Sequence, residues 1–327
     1  MSKLDDTAIL LLTCNDYEAM EIVVDRVLRT TPPQVPIYIL SNCHGLSGAE
    51  VCEDMARMSS LAKFDRVRWI HPRKRKPAYY GILDAIENDI PETYIVKFDD
   101  DAFPVNDGWL EALAETYARQ DPDRIAYVTG MVNNNPYGFS RLVQLPELAE
   151  RYGQMMAGQH AAGANIPLYD DLRIYASGEV HPGSHGTVWQ FPQLARWIHE
   201  ETTLQPKRYT DLISGLGEAE FDPSLRYSIN VMYFHRDLWA DCGNGGTDDE
   251  EMLHVYCNQT EKQIVVREDI PFVHLYFGPQ KRYLRDLLPR VREVYGPLDA
   301  AAGHPLVDDW DQFKVNYTME QLSQQLK

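Results

Sequence analysis

Short apolar runs alternate with amphipathic stretches through the first part of the chain, and this alternation constrains the fold more than any other feature. "TAILLLT" (7–13), "IYILSN" (37–42), "VRWIH" (67–71), "TYIVKF" (93–98) and "IAYVTGMV" (125–132) each read as a strand. A run with little polar alternation needs cover on both faces, which a parallel sheet between helix layers supplies. Residues 17–29, 48–64, 77–90 and 106–120 lie between the runs and carry apolar side chains at helical spacing. "TPPQVP" ends the first of these helices, since proline cannot continue one, and Pro77 suits a first turn. The alternation predicts an α/β fold with a mostly parallel central sheet flanked by helices. Ligands of such sheets sit at the carboxyl ends of the strands.

Past Val132 the pattern breaks. "NNNPYG", "AGQHAAGANIPLYDD" and "SGEVHPGSHGTVWQFP" are rich in turn formers. We read 1–132 as one half of the fold, 133–225 as a long irregular insertion facing an acceptor, 226–280 as the second half, and 281–327 as a C-terminal helical extension. The second half holds a strand in "YSINVMYFHRDLW", a glycine loop leading into a helix, and two strands in "QIVVRE" and "PFVHLYF".

The 327 residues carry a formal net charge of −18, which argues against a general attraction to nucleic acid. The apolar run Ala8 to Leu12 is too short for a signal segment or a membrane span. Five cysteines form no CxxC pair, which suits reduced thiols and a cytoplasmic protein.

Three carboxylates, Asp99, Asp100 and Asp101, follow the fourth strand. In extended backbone Asp99 and Asp101 share a face while Asp100 points away. Converging carboxylates repel unless a cation sits between them, and hard cations such as Mg2+ or Mn2+ prefer oxygen ligands. A polar turn with Asp107 capping the next helix accounts for the same residues. The basic loop "HPRKRKPAY" (71–79) lies at the same sheet edge and fits either a diphosphate or a solvated charge run. "GNGGTDDEEML" (243–253) reads as a capped helix start or as the source of a general base. His274, in "PFVHLYF", reads as a core histidine or as a third metal ligand. No GxxxxGK[ST], GxGxxG or GxSxG motif occurs.

In this order, the features resemble the GT-A-fold glycosyltransferases, nearest the family 2 and β-1,4-galactosyltransferase types, over 7–132 and 226–278. "FDDDAFPVNDGWL" resembles their DxD segment, "FHRDLWADCGNGGTDDEEML" their acidic acceptor motif, and "FVHLYF" their late histidine. The resemblance implies a GT-A, Rossmann-like sheet and a metal-dependent, inverting transfer from a nucleotide-sugar, expected to be a UDP-sugar, to a glycan or glycoconjugate hydroxyl. It implies Asp101 and His274 as ligands of Mn2+ or Mg2+, with Asp99 on the metal or the ribose and Asp100 as an ambiguous third member. Thr13, Asn15 and Asp16 would lie beside the base, and Lys76 and Tyr79 would face the nucleotide or diphosphate. Asp248 would be the catalytic base, with Asp249 next and Glu250 within the same shift of register. Thr247 stands where the family often has glutamate, and "LSNCHG" lacks the family's acidic residue after the second strand. The resemblance leaves the acceptor open and allows peripheral contact with a membrane-borne one. Two rivals share these features: a sugar-phosphate nucleotidyltransferase, and a non-catalytic glycan-binding protein with a degenerate transferase fold.

Overall fold

The computed structural model describes residues 3–13, 17–41, 64–70, 78–161, 188, 192–221, 229–243, 249–275 and 284–296. The expected helix 48–64 lies outside them except for Phe64. The first half runs β1 (Thr7–Thr13), α1 (Tyr17–Thr30), β2 (Ile37–Ser41), β3 (Val67–Ile70), α2 (Ala78–Asn88), β4 (Tyr94–Asp99), β5 (Ala102–Pro104), α3 (Trp109–Arg119) and β6 (Ile125–Val132). It continues with α4 (Pro136–Leu142), α5 (Pro146–Ala161), α6 (Pro192–Glu201), α7 (Pro206–Ile213), β7 (Glu218–Phe221), β8 (Val231–His235), α8 (Asp237–Asp241), α9 (Asp249–Gln259), β9 (Gln263–His274) and α10 (Leu288–Tyr295).

Among the described residues, nine strands form one sheet in the order β3-β2-β1-β4-β8-β6-β9-β5, with β7 also on β9. Strands β3, β2, β1 and β4 pair in parallel, β8 runs against both β4 and β6, and β9 returns parallel to β6. The sheet is thus mostly parallel, with β8 the reversed strand inside it. The outer edge of β9 carries two short antiparallel strands, β7 against 264–267 and β5 against 272–274.

Successive residues of the strands feed opposite apolar layers. Ile9, Leu11, Ile37, Ile39, Val96 and Phe98 pack with α1 and α3 on one face. Ala8, Leu10, Tyr38, Leu40 and Ile95 pack with α2, α8 and α9 on the other. That two-sided burial explains the unbroken apolar runs, because a period-2 strand with both faces covered shows no alternation. Burial of this kind contributes roughly 1.5–3 kcal/mol per large aliphatic side chain.

Several expectations need correction. "QIVVRE" and "PFVHLYF" belong to the single strand β9, which continues through Ile270 and Pro271. Its pairing with β6 shifts register between Gly130 and Met131, which accommodates the bend. Asp107 does not cap α3: Gly108 precedes its first residue, with φ of 74° and no side-chain cap. The "AFP" after the carboxylates is a strand, β5. The segment 133–225 carries four helices and a strand among its described residues, not scattered turns. Its helices are tied to the sheet ends: the Tyr209 hydroxyl on α7 donates to the Met131 carbonyl (2.7 Å), and Asn133 donates to Thr202 and Thr203 after α6 (both 2.9 Å). No described helix is long and apolar enough to cross a membrane.

Candidate active site

The topology brings five chain segments to one edge. Strands β1, β4, β6 and β9 share a direction and end there, at Thr13, Asp99, Val132 and His274. Reversed β8 begins there, so Asn230 lies beside Asp99, whose amide donates to the Asn230 carbonyl (3.1 Å). Pairing of β5 with β9 places Ala102 opposite His274, and the Leu275 amide donates to the Asp101 carbonyl (2.8 Å). Trp109, the first residue of α3, packs edge-on against Phe98 and Phe272 (5.4 and 5.6 Å between centroids), tying β4 and β9 together below the carboxylates.

The three carboxylates have different partners. Asp99 accepts from Lys97 Nζ (2.5 Å) through Oδ1 and from Asn230 Nδ2 (2.8 Å) through Oδ2. Lys97 is buried and also donates to the Ile229 carbonyl (3.0 Å), so its ammonium neutralises Asp99 from beneath. Asp100 accepts from the Thr13 hydroxyl at the end of β1 (3.2 Å). Asp101 Oδ1 lies 3.3 Å from His274 Nε2, with both side chains only 4% exposed. Asp99 and Asp101 therefore both reach the Asn230–His274 group, while Asp100 turns toward β1.

His274 is held from every side. Its Nδ1 lies 3.2 Å from the Asn134 carbonyl, which can only accept, so Nδ1 carries a proton. Its backbone amide donates to Asn133 Oδ1 (3.0 Å). Asn133 in turn donates to Thr203, whose hydroxyl lies 2.6 Å from the Nδ1 of buried His199. Burial pushes His274 toward its neutral form. The Asp101 carboxylate, by charge and hydrogen bond, with Asp99 and the Asn134 carbonyl, outweighs burial and raises its pKa above the ordinary value. Burial, helped by the His274 charge, holds His199 well below the ordinary value.

These residues fit a divalent cation. A ligating histidine usually donates its second ring nitrogen to a carbonyl or carboxylate, and the Nδ1–Asn134 contact has that form. Two neighbouring ligands of a hard cation, each at about 2.1 Å, lie about 3 Å apart, close to the Asp101–His274 separation. The Asn230 Oδ1 atom is buried with no hydrogen-bond partner. Among the described residues no group of three or more His, Cys, Asp or Glu forms a complete cage. Asp99, with each carboxylate oxygen hydrogen-bonded to a protein group, is placed to orient neighbours rather than to ligate directly.

Tyr79 does not face this edge as a ligand-binding group. It lies at buried helical spacing with Ile82 and Ile86, and its hydroxyl donates to the Trp239 carbonyl (2.7 Å). The Trp239 indole donates back to the Tyr79 carbonyl (3.0 Å), and burial raises the phenol to about 12. This reciprocal pair brings the end of α8, and Gly243 just beyond it, to the start of α2. Asn15, Asp16, Lys76 and Asp248 lie outside the described residues. Asp249 is the first residue of α9, and Glu250 follows in its first turn. The sequence reading missed Lys97, Asn230, Asn133 and Asn134. Lys97 had a readable signal: a lysine inside an otherwise apolar strand, two residues before a carboxylate on the same face.

No protein-family profile and no curated protein sequence matches the chain. Two solved structures align with it. One is GalNAc-T7 with UDP, GalNAc and Mn2+, at 9% identity and a TM-score of 0.43, covering 83% of this chain and 43% of that one. The other is the mannosyltransferase PcManGT from Pyrobaculum calidifontis in complex with GDP-Man and Mn2+, at 11% identity and a TM-score of 0.43, covering 97% of this chain and 69% of that one. The chain thus spans under half the length of the first. Overlap at this level fixes neither reaction nor ligand for this chain.

Proposed function

We propose that the protein is a metal-dependent glycosyltransferase that moves a sugar from a nucleotide-sugar, a UDP-sugar in the first instance, to a hydroxyl of a glycan or glycoconjugate. The observation that carries this reading is the Asp101–His274 pair, buried and preset in tautomer at the carboxyl edge of a mostly parallel sheet. Asp101 and His274 hold the cation, Mn2+ or Mg2+. Bound there, it supplies Lewis-acid stabilisation of the departing diphosphate.

The chain's own groups do the rest. Thr13 and Asp100, joined at the ends of β1 and β4, border the nucleotide together with Asn15 and Asp16. Lys76, in the basic loop between β3 and α2, neutralises phosphate charge. Asp99, balanced by Lys97, holds Asn230 in place and reaches the donor only indirectly. Asp248 or Asp249, at the start of α9, accepts the proton of the acceptor hydroxyl. The hydroxyl oxygen bonds to the anomeric carbon as that carbon's bond to the diphosphate oxygen breaks. A single displacement of this kind inverts the configuration. The Tyr79–Trp239 pair supports this assignment, because it directs the Gly243–Asp249 segment toward the edge that holds the carboxylates.

The test is donor turnover. Purified protein with Mn2+ and a panel of UDP- and GDP-sugars should release nucleoside diphosphate slowly without acceptor. Chelation by EDTA should stop it. Release of pyrophosphate from a nucleoside triphosphate and a sugar phosphate would instead identify a nucleotidyltransferase. Absence of any turnover with retained glycan binding would identify a binding protein.

A further inference from the structure

We infer that Asn230 supplies the third protein ligand of the cation site, through its side-chain oxygen. The inference rests on the metal-dependent reading above and assigns a residue that the DxD-like segment and the late histidine do not include.

The amide of Asn230 is oriented by its neighbours. Asp99 Oδ2, 2.8 Å from Asn230 Nδ2, can only accept, so it selects the NH2 end of the amide. Lys97 at 2.5 Å from the other oxygen keeps Asp99 ionised and in position. Selection of the NH2 end fixes Oδ1 on the opposite side, where it is buried and has no hydrogen-bond partner. The residue is only 4% exposed, so bulk water does not satisfy that oxygen. Folded proteins rarely leave a buried carbonyl oxygen in this state, and the usual explanation is a group that binds there.

Hard cations take side-chain amide oxygens readily, alongside carboxylates. Asn230 stands within contact of both other candidate ligands: its Nδ2 lies 3.3 Å from His274 Nε2, and that same nitrogen is 3.3 Å from Asp101 Oδ1. The contact to His274 is long for a hydrogen bond, whereas the contact to Asp99 is of normal length. The His274 lone pair is thus the one the amide releases when a cation arrives. The arrangement explains why Asp99, with both oxygens occupied, is retained beside Asp101: it sets the ligand rather than being one. It also accounts for a cation site in which the described residues show no third His, Cys, Asp or Glu.

The experiment is Mn2+ titration of the full chain, followed by the electron paramagnetic resonance signal of free Mn2+, with and without UDP. It compares the parent protein, Asn230→Leu, Asn230→Asp and Asp101→Ala, with melting temperatures recorded in EDTA and in Mn2+. Asn230→Leu should weaken Mn2+ about tenfold or more. Asn230→Asp keeps an oxygen at the site and should bind Mn2+ at least as tightly as the parent. It should also melt lower in EDTA, where its carboxylate faces Asp99, and gain more from Mn2+ than the parent gains. Equal Mn2+ affinity in Asn230→Leu and the parent, with binding lost in Asp101→Ala, would overturn the inference and leave the metal-dependent reading intact. Weakening in Asn230→Leu and Asn230→Asp alike would mark Asn230 as a positioning residue only and would also overturn it. Unchanged binding in Asp101→Ala would overturn the reading itself.

Discussion

His274 Nε2 lies 3.3 Å from Asp101 Oδ1 because β5 pairs with β9 in the register that sets Ala102 opposite His274. The contact is therefore a property of backbone pairing, not of two flexible side chains meeting. Asn133 and Asn134, at the end of β6, fix the ring from the other side. Chemistry at this edge should consequently be sensitive to backbone changes in β5, β6 and β9.

Gly138 tests that sensitivity. It sits in the first turn of α4, where a Cβ would collide with the Val132 carbonyl and crowd Asn135 Oδ1, which accepts from the Gly138 amide (2.6 Å). Backbone cannot yield as a flexible side chain can. Gly138→Ala should destabilise by about 3 kcal/mol and should weaken Mn2+ binding by displacing Asn133 and Asn134. Urea denaturation and Mn2+ titration check the two effects.

The Lys97–Asp99 pair should respond asymmetrically to mutation. Lys97 is 1% exposed and Asp99 29%. Asp99→Ala strands a buried ammonium and should cost about 3–5 kcal/mol. Lys97→Met leaves a partly hydrated carboxylate still hydrogen-bonded to Asn230, and should cost about 1–2 kcal/mol. Denaturation midpoints at constant m-value give the comparison.

His199 should make the protein acid-sensitive. Its folded pKa is held well below the ordinary 6.5 by burial. As pH falls below about 6.5, the unfolded chain takes up a proton that the folded one refuses, so stability falls, by up to about 1.4 kcal/mol per pH unit for one such group. His274, with a raised folded pKa, acts in the opposite sense over the same range. The difference between the parent and His199→Gln isolates the His199 contribution. That difference should grow in favour of the variant between pH 7 and pH 5.

Much of this fold could be read in the sequence because a strand covered on both faces leaves a visible apolar run. Thr7–Thr13, Ile37–Ser41, Tyr94–Asp99 and Ile125–Val132 all lie where such runs predicted them. Asp101 and His274 could be singled out because each follows or ends such a run. Asn230 and Lys97 could not be paired in advance: their meeting depends on β8 entering the sheet backwards between β4 and β6, and periodicity carries no strand direction. Tyr79 was misread because a tyrosine after a basic loop looks like a ligand contact. Its helical register with Ile82 and Ile86, visible in the sequence, already placed it in the core.

The base assignment makes a kinetic prediction. Asp248→Asn should lower turnover by about 10²- to 10⁴-fold while changing the affinity for nucleoside diphosphate little. Glycosyl transfer assayed under saturating donor, with donor affinity measured calorimetrically, separates the two. The same loss in Asp249→Asn with an unaffected Asp248→Asn would move the base by one residue.

The central claim is that Asp101 and His274 hold a cation that binds a nucleoside diphosphate. The most direct measurement is the melting temperature of the parent and of Asp101→Ala with UDP, in Mn2+ and in EDTA. A ligand that binds only the folded state raises the melting temperature by mass action. UDP should raise it in the parent with Mn2+, and should do so neither in EDTA nor in Asp101→Ala. An equal rise with and without the metal, or an undiminished rise in Asp101→Ala, would contradict the account.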